Sequence, residues 1–335
     1  MSRARVPGPA ESVLLPPVHM PVSFPHSIRR RIGAAPLAAL LVILAACSDS
    51  TTEPNTEPRF PTMAVFGASL DDMGNACAAA PASCPPPPYA TGRASNGPLW
   101  VEVLADSLDA SLSPASAGGL NFAFGGARTG PVAGTTQTIP NMQVQATQYL
   151  QSAPTAGRAE TLHIVNAATV GNDINDALLA GRTNPAAPAQ IVAASVQNIV
   201  TLVQSLYDGG ARHVLLANST DIGRTPLVAA QGALVSAVAS QLSQQFNQGL
   251  AAALPSLRTS TPGLTLYTLD LGALTAEVFA SPATFGFTNL TAPCVVPTPP
   301  SLCTAPDTYF FWDGFHPTAA TGRLVATRAL RALGR

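Results

Sequence analysis

The chain has 335 residues, 17 basic and 18 acidic side chains, and a net charge of −1, so no positive excess is present to attract a nucleic acid backbone. Every basic residue is arginine, which excludes a Schiff-base lysine, a P-loop lysine and a serine–lysine dyad. Hydrophobic residues at 47% suffice for a core, while charged residues at 10% leave much polar work to Ser, Thr, Asn and Gln.

Residues 1–28 are proline-rich without a periodic apolar face and read as an overlong start, with Met20 a candidate initiator. Arg29, Arg30 and Arg31 then precede an apolar run over 32–46 that stops at Cys47. A run of this length falls short of the about 20 residues that cross a bilayer, and the basic flank is that of a signal peptide. Leu44-Ala45-Ala46-Cys47 resembles a bacterial lipobox, which implies cleavage before Cys47, lipidation of that cysteine and attachment to a membrane. Ser48 points, by the same resemblance, to the outer membrane of the cell envelope; plain secretion is the alternative. Removing 1–46 takes away five arginines and one glutamate and leaves a mildly acidic chain. Residues 47–60 are polar and broken by proline, as a tether is.

From 61 to 335 the pattern is that of one domain. Apolar runs at 63–66, 121–124, 162–165, 214–217 and 264–269 read as five strands. Helical spacing is present over 98–108, 191–206, 227–250 and 318–333. Strands alternating with helices predict an α/β fold, a three-layer α/β/α sandwich around a mostly parallel sheet. Four cysteines remain beyond Cys47, namely Cys77, Cys84, Cys294 and Cys303, an even set suited to an oxidising compartment. Three pairings are open. The two local ones close short loops at low entropic cost, and the spacings suit zinc poorly.

Two loops carry candidate chemistry. Phe66-Gly67-Ala68-Ser69 ends a strand in a glycine and then a serine, and the carboxyl ends of parallel strands are where sites form in open α/β sheets. Ser69 is thus placed either as a nucleophile or as a helix-capping turn residue. Near the other end, Asp313 and His316 stand three apart on one loop, so the carboxylate can accept from one ring nitrogen while the other faces a serine. His163 and His213 flank apolar runs and read as structural.

The sequence resembles the GDSL or SGNH family of serine esterases and lipases. Its blocks stand in order at 66–75, at 92–100, at 121–127, at Gly171-Asn172-Asp173 and at 313–317. The resemblance implies the SGNH-hydrolase, flavodoxin-like version of the α/β/α fold, with Ser69 as nucleophile, His316 as general base and Asp313 as its orienting partner. It implies an oxyanion hole made by the Ser69 and Gly126 backbone N–H groups and the Asn172 side chain, with Gly125 the neighbouring candidate. Loss of one such donor costs about 2.7–4 kcal/mol of transition-state stabilisation. It further implies a carboxylic ester substrate of acyl or lipid type and neither metal nor other cofactor.

Two positions depart from the family pattern: Ala68 where Asp is usual, and Val170 where Gly is usual two places before the oxyanion Asn. They motivate one alternative, a surface lipoprotein that keeps the fold and binds a ligand or partner without catalysis. An acyltransferase using the same residues is the second.

Overall fold

Three short segments are buried along nearly their whole length, as strands covered on both faces must be, and a fourth at the edge is half exposed. In the computed structural model, which describes residues 58–132, 137–298 and 300–335, these are β1 (Met63–Phe66), β2 (Leu162–Asn166), β3 (His213–Ala217) and β4 (Thr265–Leu269). They pair in parallel in the order β1-β2-β3-β4, with Met63 opposite Leu162, Leu162 opposite His213 and His213 opposite Thr265. The leader at 1–46, Cys47 and the tether up to residue 57 lie outside the described residues. Phe60 is already buried, edge-on to His213 and Tyr267.

The helices in chain order are α1 (Asn75–Ala79), α2 (Trp100–Leu108), α3 (Met142–Ser152), α4 (Val170–Ala180), α5 (Ala187–Asp208), α6 (Pro226–Ala229), α7 (Ala233–Ser260), α8 (Leu271–Ala280) and α9 (Ala319–Ala332). Because side chains alternate along a strand, Ala64, Phe66, Val165, Val214 and Leu216 face one core, completed by α3, α4, α5 and α7. Met63, Val65, Leu162, Ile164, Leu215 and Ala217 face the other, completed by α2, α8 and α9. This is the expected three-layer α/β/α sandwich.

Two expectations about elements need correction. The sheet has four paired strands rather than five, because 121–124 touches β1 through a single bridge at Asn121. Phe122 N–H donates to Val65 O and Phe124 N–H to Gly67 O, but Gly67 N–H is taken by the Gln145 side chain, Asn121 Oδ1 accepts from Ala123 N–H, and Asn75 donates to the Asn121 and Ala123 carbonyls, so no ladder forms. The helix expected over 227–250 is two helices, α6 and α7, divided at Gly232, whose φ of 101° lies where other residues are strained. Helix α7 then continues to Ser260.

Both local disulfides are present, Cys77–Cys84 and Cys294–Cys303. The second staples a small antiparallel hairpin, β5 (Val295–Pro297) with β6 (Pro300–Leu302). Its backbone is bonded to the loop ahead of α9: Cys294 N–H donates to Phe311 O and Val295 N–H to Trp312 O.

Candidate active site

At the carboxyl end of β1 the chain turns sharply, with Asp71 N–H donating to Ala68 O at 3.0 Å and Ser69 left half-buried at the surface. Interior groups hold this turn in place. Fully buried Gln145 acts on Gly67 as a strand neighbour would, accepting from its N–H at 3.0 Å and donating to its carbonyl at 2.9 Å. Asp72 accepts from Gly74 and Asn75 N–H through Oδ1, and from Ala76 and Gly125 N–H through Oδ2. The acidic pair after Ser69 is thus built into the fold rather than solvated.

Asp71 is buried completely beneath the loop. The Trp100 indole N–H donates to its Oδ1 at 2.7 Å and the Asn166 amide reaches both its oxygens at 2.9 and 3.0 Å. Burial raises its carboxyl to about 7, against the lowering effect of the Asn166 and Trp100 hydrogen bonds. A Cβ added at Gly67 would stand 2.1 Å from Asp71 Oδ2, which explains the glycine before Ala68. Ala68 itself is buried, so the interior carboxylate of this loop is carried by Asp71, two residues beyond the serine.

His316 comes to Ser69 from the loop between β6 and α9. Its Nδ1 is 2.8 and 3.0 Å from the two Asp313 oxygens and its Nε2 is 2.8 Å from Ser69 Oγ. A carboxylate can only accept, so Nδ1 carries the proton and Nε2 accepts from the serine hydroxyl. Asp313 Oδ1 also takes the Phe315 and His316 backbone N–H groups at 2.8 and 2.7 Å, while Tyr89 donates its hydroxyl to Oδ2 at 2.9 Å. Burial acts to raise this carboxyl, but the His316 hydrogen bond and charge and the two backbone donors outweigh it and hold Asp313 at about 2. The Tyr89 hydroxyl is pushed upward, by burial first and then by the adjacent Asp313 charge.

The remaining expected site residues lie along the same edge. Gly125 N–H is occupied by Asp72, whereas the N–H groups of Gly126 and Ser69 have no hydrogen-bond partner among the described residues. Gly126 has φ of 81°, in the left-handed region that favours glycine. Asn172, in the first turn of α4, uses one amide hydrogen on Ala127 O at 2.7 Å and keeps the other. Phe124 N–H donates to Gly67 O, so the serine loop, the glycine turn and α4 are joined edge to edge. Val170 is buried in the core as the first residue of α4. Among the described residues no group of three or more His, Cys, Asp or Glu side chains is arranged to hold a metal.

His163 and His213 lie elsewhere: His163 is fully buried between the Tyr149 hydroxyl and His213 O, and burial lowers it to about 4. The block at 92–100 secures the far side of the base loop, with Ser95 Oγ donating to Pro317 O and Asn96 Oδ1 accepting from Ala319 N–H. Tyr89, Gln145 and Asp71 are site-supporting residues that the sequence reading did not single out. Tyr89 follows a proline run and Gln145 lies in a polar helix segment, neither of which is a signal of its partner.

Fold and site together define an α/β/α protein with serine, histidine and aspartate joined by hydrogen bonds at the carboxyl edge of a parallel sheet. Residues 63–329 match the family model described as GDSL-like Lipase/Acylhydrolase, and the chain belongs to that family. A GDSL esterase/lipase of Arabidopsis thaliana is 24% identical over 319 residues, covering 79% of this chain and 84% of the relative. A phosphatidylcholine-sterol acyltransferase of Aeromonas hydrophila is 28% identical over 243 residues, covering 72% of this chain and 67% of the relative. Among solved structures, the lipase Lip_vut3 from a goat rumen metagenome is similar at a TM-score of 0.46 and 13% identity, over 82% of this chain and 97% of that one. Ester hydrolysis or acyl transfer is the chemistry that the family supports.

Proposed function

We propose that the protein is a serine hydrolase that cleaves carboxylic esters through an acyl-enzyme. The observation that carries this reading is the unbroken relay from Ser69 Oγ to His316 Nε2 at 2.8 Å and from His316 Nδ1 to Asp313 Oδ2 at 2.8 Å. His316 takes the Ser69 proton as Oγ attacks the ester carbonyl, and the oxygen that becomes negative is met by the Ser69 and Gly126 N–H groups and the Asn172 amide. Collapse of the tetrahedral adduct expels the alkoxide, which takes the proton from His316 and leaves as the alcohol. Water then repeats the sequence on the acyl-enzyme and releases the acid. Asp313, ionised at any neutral pH, holds the ring in the tautomer this cycle needs and stabilises the imidazolium.

Hydrolysis of nitrophenyl esters by the full chain, beside Ser69→Ala and with a phosphonate label located by mass spectrometry, tests this reading. Turnover that is lost in Ser69→Ala, with label on Ser69, is the expected result; a folded protein with neither turnover nor label overturns it. Transfer to an acceptor alcohol is the second reading, favoured by the likeness to an acyltransferase. It is separated by assaying ester products with added alcohols.

The leader and Cys47 support export, lipidation and attachment to the bacterial cell envelope, most simply its outer membrane. Labelled palmitate incorporated by the wild type and absent from Cys47→Ala is the expected outcome in a bacterial host; equal incorporation overturns the anchor.

A further inference from the structure

The turn that carries Gly126 lies against α4, the helix that carries Asn172, and side chains join the two. Asn172 donates to Ala127 O at 2.7 Å, while Asp173 accepts from the Thr129 N–H at 3.1 Å and from its hydroxyl at 3.0 Å. One turn farther along α4, Asp176 takes the Arg128 guanidinium through both oxygens, Nε on Oδ2 and Nη2 on Oδ1, each at 2.9 Å. The same guanidinium reaches back through Nη1 to Gly126 O at 2.7 Å. Gly126 needs such a tether more than its neighbours do. Gly125 N–H is fixed by Asp72 at 2.7 Å and Ala127 N–H by Phe124 O at 3.0 Å. Gly126 keeps its own N–H unspent, and its φ of 81° lies where glycine turns with little steric resistance. Among the described residues, the bond from Arg128 is the only hydrogen bond this glycine makes.

We propose that Arg128 is a positioning residue for the oxyanion hole: anchored on Asp176 of α4, it holds the Gly126 carbonyl so that the Gly126 N–H and the Asn172 amide stay aimed at one point. The proposal rests on the reading of Ser69 as nucleophile, which places a developing oxyanion between those donors. A planar fork that meets a carboxylate at two points cannot swing, so its third bond is delivered from a fixed place. The charges of Arg128 and Asp176 offset one another, which leaves aim rather than net field as the contribution of the pair. Aim is what such a site depends on, since donors to an oxyanion act by being prearranged and a displacement of about 1 Å costs on the order of 10²-fold. Lysine is no substitute. Its ammonium is a point charge that keeps the attraction to Asp176 but cannot hold two carboxylate oxygens and a carbonyl in one plane.

The test is steady-state hydrolysis of nitrophenyl butyrate by the full chain beside Arg128→Lys, Arg128→Gln and Arg128→Ala, with urea unfolding of each to show that the protein assayed is folded. In the folded variants kcat is expected to fall by about tenfold to a hundredfold with KM within about twofold, the mark of an interaction realised in the transition state. Inhibition by butylboronic acid, whose tetrahedral adduct on Ser69 sets an oxygen among the same donors, should weaken in proportion. A merely structural ion pair would lower the urea midpoint and leave these quantities alone. Wild-type kcat in Arg128→Lys, or boronate affinity unmoved in a variant whose kcat has fallen about tenfold, overturns the positioning role while leaving the nucleophile reading intact. If the wild type neither turns over ester nor binds boronate, the nucleophile reading fails and the positioning role falls with it.

Discussion

The two loops that meet at the site are held by opposite means. On the serine side, Gly67, Asp71 and Asp72 are tied inward to Gln145, Trp100, Asn166 and the Gly125 N–H, all groups of the interior or its edge. On the base side, Asp313 and His316 are held by an outer shell made of Tyr89, the stapled β5–β6 hairpin and the side chains of Ser95 and Asn96. The lesson is a division of labour. The serine loop is fixed by polar groups of the interior, whereas the histidine loop is fixed by buried Phe310, Phe311 and Trp312 ahead of it and by hydrogen bonds to neighbouring loops.

The strongest break is Asp313→Asn, which keeps the size of the side chain but favours the wrong ring tautomer. A loss of about 10⁴-fold in kcat is expected, with a smaller cost in stability of about 2 kcal/mol near neutral pH from the lost carboxylate. Asp71→Ala should do the reverse, lowering stability first. It leaves the buried Trp100 indole and Asn166 amide without their acceptor, at about 1–3 kcal/mol for each group, which urea unfolding measures directly.

Replacing Cys294 and Cys303 together by serine frees a loop of sequence separation 9. Chain-entropy arguments give a loss of about 2–3 kcal/mol, and turnover should fall as well because the hairpin backs Phe311 and Trp312. An unchanged kcat in that variant would mean that the base loop holds itself.

The smallest effect is on pH dependence, and the two loops carry opposite signs. Asp313 sits at about 2 in the fold against 3.8 ordinarily, so its contribution of about 2 kcal/mol is present above pH 4 and is lost as pH falls towards 2. Asp71 is raised to about 7, so the folded state retains a proton that the unfolded chain gives up. Its contribution is full below pH 4 and is lost as pH rises through 7. Urea midpoints measured against pH should therefore lose their acid limb in Asp313→Asn and flatten between pH 4 and 8 in Asp71→Asn.

What was legible in the sequence follows the same division. Strands β1, β2 and β3 announce themselves because burial on both faces demands mostly apolar runs, and β4 because its apolar and exposed residues alternate; the Ser69, Asp313 and His316 blocks stand out because loop chemistry of this kind needs particular residue types at particular offsets. Helix α4 does not, since its first turn is Val170-Gly171-Asn172-Asp173, residues of weak helix propensity. Segment 121–124 looks like a strand by composition, but strand character requires a partner, and Asn121 spends its side chain and carbonyl on loops instead. Tyr89 and Gln145 were invisible for a related reason: each has one decisive partner far away in sequence, and no local pattern encodes it.

Ser69 and His316 are separated by 247 positions, one at the end of the first strand and the other just ahead of the last helix. Almost the entire domain must be synthesised and assembled before the two atoms can touch, so the closing of this site is a high-contact-order event. In the proposed reading turnover is a built-in reporter of completed folding, and a chain cut short of His316 carries a serine with no histidine beside it.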